Sequence, residues 1–197
     1  MLGPRRAAAG VSESDRGGSR RERLLASALW GFARSGYHET SVDDIVARAR
    51  TSKTAFYDHF ASKEACLAAL LEEQGGALMN AVQAAAQGGR DHRERLRRGI
   101  AEFVRRCDQD ADLGWVLLVR SVGLSSQIEA QRLSLQSRFA SLVAAEQRLS
   151  DDGPSDSAAQ TFAWAVVGAV GEVSRQLLRS GADAGAAAAV LGQIFAP

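Results

Sequence analysis

Residues 40–65 read TSVDDIVARARTSKTAFYDHFASKEA, and the order of caps and apolar positions in this stretch sets the fold. Thr40-Ser41 supply an N-cap ahead of Val42, Ile45, Val46 and Ala49, with Asp43 and Asp44 in the first turn, where the helix dipole favours acids. That pattern predicts a short helix. Ser52 supplies a second cap before Phe56 and Phe60, one turn apart, and Ser62 a third before Glu64, Leu67, Leu70, Leu71 and Leu78. Upstream, Leu24, Leu25, Ala28, Leu29, Phe32 and Ala33 recur at helical spacing from Arg20 until Ser35-Gly36 closes the segment. Three helices with a tight turn between the second and third are the layout of a helix-turn-helix, whose second helix braces against the DNA backbone while the third enters the major groove.

The same string resembles the signature of TetR-type transcriptional regulators. The likeness is carried by Thr40-Ser41 before the second helix, Ser52-Lys53 at the recognition helix, Phe56-Tyr57 and His59-Phe60 in its core, and Ser62-Lys63-Glu64-Ala65 opening the fourth helix. It covers about residues 20–70; beyond them only length and helical character are similar. The resemblance implies a ligand-responsive repressor that binds a palindromic double-stranded DNA operator as a homodimer, in the cytoplasm. Four positions depart from the family's habit. Arg50 stands where glycine is usual, Thr54-Ala55 where Gly-Thr is common, and Asp58 where many relatives carry a basic or aromatic residue. The operator sequence is therefore not transferable.

Chemistry and resemblance together assign roles within this segment. Tyr57, His59 and Lys63 are expected to donate to phosphates. Thr54, Ala55 and Asp58 are expected to face bases, a hydroxyl suiting several edges, a methyl suiting thymine and an acid accepting from cytosine N4. Arg20 and Arg21, ahead of the first apolar stripe, are placed to grip phosphate or the minor groove. Thr40, Ser41, Arg50, Ser52 and Lys53 complete the DNA-facing set. The six arginines at 93, 95, 97, 98, 105 and 106 read better as a solvated helix face than as a second nucleic-acid patch.

Composition agrees with an all-α reading. Of 197 residues, 36 are Ala and 20 Leu against 14 Val and 4 Ile, and the three prolines fall at positions 4, 154 and 197, leaving long spans free of helix breakers. Residues 1–65 carry 11 Lys+Arg against 8 Asp+Glu, so the basic excess lies with the expected DNA-reading segment. No apolar run reaches the ~20 residues of a membrane span, and no apolar stretch follows Arg5-Arg6 to make a secretory signal. Cys66 and Cys107 lack metal or redox spacing and read as buried filler, not as a disulfide. His38 and His59 lie in the helix-turn-helix and His92 stands alone among charged neighbours, so no catalytic group, metal or cofactor is expected. Two other readings remain open: a helical adaptor that binds protein instead of DNA, and a small helical enzyme.

The expected organisation is a disordered arm over 1–18, a helix-turn-helix domain over 19–66 and a helical effector-binding and dimerisation domain over 67–197. In the last, Phe103 and Cys107, then Trp115 and Leu118, then Phe139 and Val143, with Trp164 from the next helix, are candidates to line a site for a small, mostly apolar effector. Arg120, Gln136 and Glu172 are its nearest polar candidates. On the helix after Asp151-Asp152-Gly153-Pro154, Phe162, Val166, Val170, Val173 and Leu177 form a core stripe. Thr161, Ala165, Gly168 and Ala169 are left as a small-residue surface for a two-fold mate.

Overall fold

The structure is a computed structural model and describes residues 19–149 and 155–197; the arm expected over 1–18 and the loop at 151–154 lie outside the described residues. Nine α-helices occur among the described residues: α1 (Arg20–Arg34), α2 (Val42–Arg48), α3 (Lys53–Tyr57), α4 (Lys63–Gln87), α5 (His92–Gln109), α6 (Ala111–Trp115), α7 (Ser126–Arg148), α8 (Asp156–Ser180) and α9 (Ala184–Phe195). A π-helical turn, Val116–Arg120, follows α6 directly. Residues 111–120 are thus divided between two elements.

Side-chain caps set the helix starts. Ser19, Ser41, Ser52 and Ser62 each accept a backbone N–H two or three residues into the helix, and Asp91, Asp110, Ser125, Ser155 and Asp183 do the same for the later helices. At Ser41 the cap is reciprocal, because Asp44 Oδ2 accepts from the Ser41 N–H at 2.8 Å while Ser41 Oγ accepts from the Asp44 N–H at 3.1 Å.

One apolar core runs from Leu24, Phe32 and Ile45 through Phe56, Leu67 and Leu70 to Val116 and Ile128. It crosses residue 66/67, a boundary that falls inside α4. A second cluster joins Leu96, Ile100 and Val104 of α5 to Val166 and Val170 of α8 and Leu191 of α9. Both cysteines are buried, which pushes each thiol up to about 12.

The turn between α2 and α3 ends α2 with paired reverse bonds, Arg50 N–H to Ala47 O at 3.2 Å and Thr51 N–H to Val46 O at 3.0 Å. This geometry requires a left-handed residue after the helix, and Arg50 fills it at φ 52°. A Cβ there costs about 1–2 kcal/mol, offset in part by the ~0.4–1 kcal/mol of extra chain entropy that glycine would lose on folding. Arg50→Gly should therefore raise the free energy of unfolding by a few tenths to about 1 kcal/mol. Urea titration reads this directly, and a decrease would mean that the exposed Arg50 side chain makes compensating contacts.

Candidate nucleic-acid interface

α3 has five residues and is positioned by two of them, Ala55 and Phe56, which are buried while Lys53, Thr54 and Tyr57 face out. Phe56 is 0% exposed and meets Tyr57 edge-on at 5.3 Å and Phe60 at 5.4 Å between ring centroids. Tyr57 is 55% exposed, and Asp58 and His59 are exposed beside it. Thr54, Tyr57, Asp58 and His59 thus stand together on one accessible edge with Lys53. Lys53 Nζ pairs across the turn with Asp43 at 2.9 Å, and that hydrogen bond raises its pKa. Both partners are well exposed, so a phosphate can compete for the ammonium at little cost.

Three expected DNA contacts are corrected by this geometry, and a fourth residue, Arg21, is paired within the chain. Ala55 is buried against the core and offers no methyl group to a thymine. Thr40 is also buried: its Oγ1 donates to Gly36 O at 2.8 Å, and its Cγ2 stands where a Cβ on Gly31 would come within 2.6 Å. Arg21 is tied to Glu73 of α4 and lies 5.4 Å over the Phe60 ring, so it braces α1 against α4. Lys63 turns away from the expected phosphate, its Nζ donating to Tyr37 O at 2.6 Å, Thr40 O at 2.8 Å and His38 O at 3.4 Å, 4.3 Å from the Tyr37 ring centroid. Burial lowers its pKa. The loop between α1 and α2 is wrapped around this ammonium. Ser41 and Ser52 act through their caps, while Arg20 and Arg50 are exposed.

Sequence reasoning missed a basic pair beside the turn. Arg48 of α2 stacks 4.0 Å over Trp30 of α1, and Arg34 lies 5.3 Å from the same ring. The i, i+4 spacing of Trp30 and Arg34 was a usable signal; the approach of Arg48 depends on how α1 and α2 cross. Arg34 also reaches Asp112 of α6 at 3.7 Å, and burial raises the Asp112 carboxyl despite that partner. Nearby, Arg120 of the π-helical turn donates from Nε to Ala33 O of α1 at 3.3 Å, with its guanidinium 5.3 Å over Trp115.

Behind this junction a cavity of about 310 Å³ opens between α4, α5, α7, α8 and the π-helical turn. Phe103, Leu118, Phe139 and Val143 line it as expected residues, with Phe103 and Phe139 packed edge-to-face at 5.5 Å, and Gln136 is in its wall. Three expected lining residues are elsewhere. Cys107 and Trp115 belong to the core under α1, and Trp164 is 40% exposed on the outer face of α8. Arg120 and Glu172 are also outside the wall. Leu71, Leu78 and Val82 of α4 take those places, together with Arg95, Arg132 and Glu146. No group of three or more His, Cys, Asp or Glu among the described residues is arranged to hold a metal.

On α8, Thr161, Ala165 and Gly168 are exposed beside Trp164, and on α9 Val190 and Ile194 are exposed, Ile194 by 62%. Ala169 is displaced from the expected small-residue surface, since it packs against the cluster that contains Val166 and Val170. No helix among the described residues is long and apolar enough to cross a membrane.

Residues 24–70 match the family described as bacterial regulatory proteins, tetR family. The transcriptional activator FasR of Mycolicibacterium smegmatis is 31% identical over 112 residues, 57% of this chain, and the chain spans about half of that relative's length, 51%. A TetR-like regulator from Rhodococcus sp. RHA1 is 27% identical and superposes with a TM-score of 0.74 over 89% of this chain and 93% of its own. The FadR regulator of Bacillus subtilis, solved with stearoyl-CoA, has the same fold at 15% identity and a TM-score of 0.78, over 89% of this chain and 97% of its own. The matched segment runs from buried Leu24 through the recognition helix to Leu70 of α4. The likeness therefore rests on the helix-turn-helix itself, and residues 24–70 form a helix-turn-helix segment of the tetR family of bacterial regulatory proteins.

Proposed function

We propose that this regulator is a ligand-responsive repressor, acting in the cytoplasm as a homodimer on a palindromic operator. The observation that carries the reading is the physical link between cavity and DNA-reading end. Leu117 and Leu118 stand in the cavity wall, and two residues beyond Leu118, Arg120 holds the Ala33 carbonyl of α1. A π-helical turn is a sparsely used geometry concentrated at functional sites, and a ligand that prefers another arrangement of it shifts α1 by its differential affinity, typically ~1–3 kcal/mol of coupling. In this division of labour residues 19–66 read DNA and residues 67–197 bind effector and mate. Trp164, Val190 and Ile194, with the small residues of α8, supply a face that a two-fold partner covers. The mostly apolar wall fits an apolar or aromatic effector, and the stearoyl-CoA bound by a regulator of the same fold supports an acyl-type one.

Gel-shift titration against the DNA flanking the gene, at two salt concentrations, tests this. Tyr57→Phe and His59→Ala should each weaken specific and random DNA alike by about tenfold or less. Thr54→Ala or Asp58→Ala should instead alter preference at one or two positions of each half-site. Absence of salt-sensitive binding would favour the adaptor reading, and a monomeric mass by light scattering at micromolar concentration would remove the two-fold geometry.

A further inference from the structure

The cavity has a wet end and a dry one. Of the residues in its wall only Gln83 and Gln87 of α4 and Ala145 of α7 are exposed, so the mouth lies where those two helices finish. Contacts of Ser125 with Glu64 and of Gln131 with Glu72 show that α4 and α7 run side by side in the same direction. The opposite end is closed by buried Leu71 and Leu117, with Leu118 of the π-helical turn beside them. The polar members of that end, Gln131 and Arg132, donate to Glu72 and Glu129 outside the wall. At the mouth, Arg95 of α5 and Glu146 of α7 both line the cavity, with side chains 27% and 26% exposed, and are joined only by Arg95 Nε donating to Glu146 Oε2 at 2.7 Å. Arg95 Nη1 and Nη2 and Glu146 Oε1 make no hydrogen bond among the described residues. Close packing fixes Arg95 at this corner, since a Cβ on Gly89 would come within 2.7 Å of its Cγ.

Resting on the effector-cavity reading above, we infer that the cavity takes a single-chain amphiphile tail-first, holds its hydroxyl or amide head on the open edges of the Arg95–Glu146 pair, and releases DNA only when the chain is long enough to press on Leu117 and Leu118. Such a head accepts from the guanidinium and donates to the carboxylate at once, so neither edge is left unpaired when the ligand covers the mouth. The tail measures the distance inward from there. Leu71 and Gln83 are twelve residues apart on α4, a rise of about 18 Å, and carbon bonds of about 1.5 Å let roughly fourteen extended carbons span it. A shorter chain gains affinity with each buried methylene, about fourfold apiece, yet never meets the turn that carries Arg120 to the Ala33 carbonyl. Without a differential contact there it shifts nothing at the helices that read DNA.

Straight-chain decanol and tetradecanol are the probes, with binding measured by equilibrium dialysis of the labelled alcohols and DNA release by gel shift at matched occupancy. Tetradecanol should lower DNA affinity about tenfold, and decanol by less than about twofold. Leu118→Ala, which withdraws the side chain that the tail meets, should still bind tetradecanol but reduce its effect on DNA to that of decanol. Arg95→Met should weaken both alcohols alike, by about tenfold, with their relative effects on DNA at matched occupancy unchanged, and Arg95→Lys should recover part of the loss. Equal release by the two chain lengths would overturn the inference and leave the effector reading standing. The same holds if folded Arg95→Met binds both alcohols unchanged. Failure of both alcohols to bind or to release DNA would count against both readings.

Discussion

Phe56→Ala should abolish specific DNA binding and remove about 3–5 kcal/mol of stability. A helix as short as Lys53–Tyr57 has no independent stability in water, and the Ser52 cap contributes only about 1 kcal/mol. What holds α3 at a fixed angle is the fully buried Phe56 ring between α1, α2 and the Phe60 ring, with Ala55 beside it. Removing the ring leaves a cavity under the recognition helix, and its outward edge of Thr54, Tyr57 and Asp58 loses a single orientation. Chemical denaturation and gel shift on the same preparation measure both effects, with Phe56→Leu as a milder control that keeps most of the volume. Operator affinity within twofold of the parent would mean that α3 is held by something other than this packing.

Lys63→Met should cost about 2–3 kcal/mol, after allowance for water replacing part of what is removed at a half-buried site. Two close charge-assisted bonds, to Tyr37 O and Thr40 O, fix the α1–α2 loop and through it the start of α2. The distinguishing readout is salt. Deleting a cation that neutralises a phosphate lowers the dependence of log K on log salt by about one unit, whereas deleting an internal brace weakens DNA binding with the slope unchanged. An unaltered stability with a reduced slope would restore the phosphate role that the sequence suggested.

Where the chain names its own partner locally, the sequence was readable. Ser41, Ser52 and Ser62 announce helix starts because a cap bonds within three residues, whereas the left-handed turn at Arg50 was legible only through the resemblance, which has glycine there. The inward set of Phe56 and Phe60 follows from one-turn spacing in the same way. Lys63 and Thr40 misled because their side chains are spent on groups 23 and 4 residues away, and the longer partnership exists only after the helices have packed. Ala55 misled because a five-residue helix is too short for periodicity to assign its faces. In the C-terminal half, aromatic character could not say which way a ring points. The switch to π-helix after Trp115 turns the following residues by a different angle from an α-helix, so Leu117 and Leu118 reach the cavity while Trp115 stays with α1. The pairing of Arg95 with Glu146 carried no sequence signal, since it depends on where α7 settles.

The two deeply buried thiols make the fold a pair of chemical clocks. With their pKa values near 12, Cys66 and Cys107 present almost no thiolate at neutral pH while the chain is closed, whereas an exposed cysteine ionises near its ordinary 9.0. Capture by a small disulfide reagent then proceeds only through openings that bring water to the sulfur. Cys66 reports release of α4 from the helices that read DNA, and Cys107 reports parting of α5 from α6. If the ratio of the two capture rates stays constant as denaturant is added, the chain opens as one unit. A faster rate at Cys66 in water alone would show that the DNA-reading end breathes by itself, and how often.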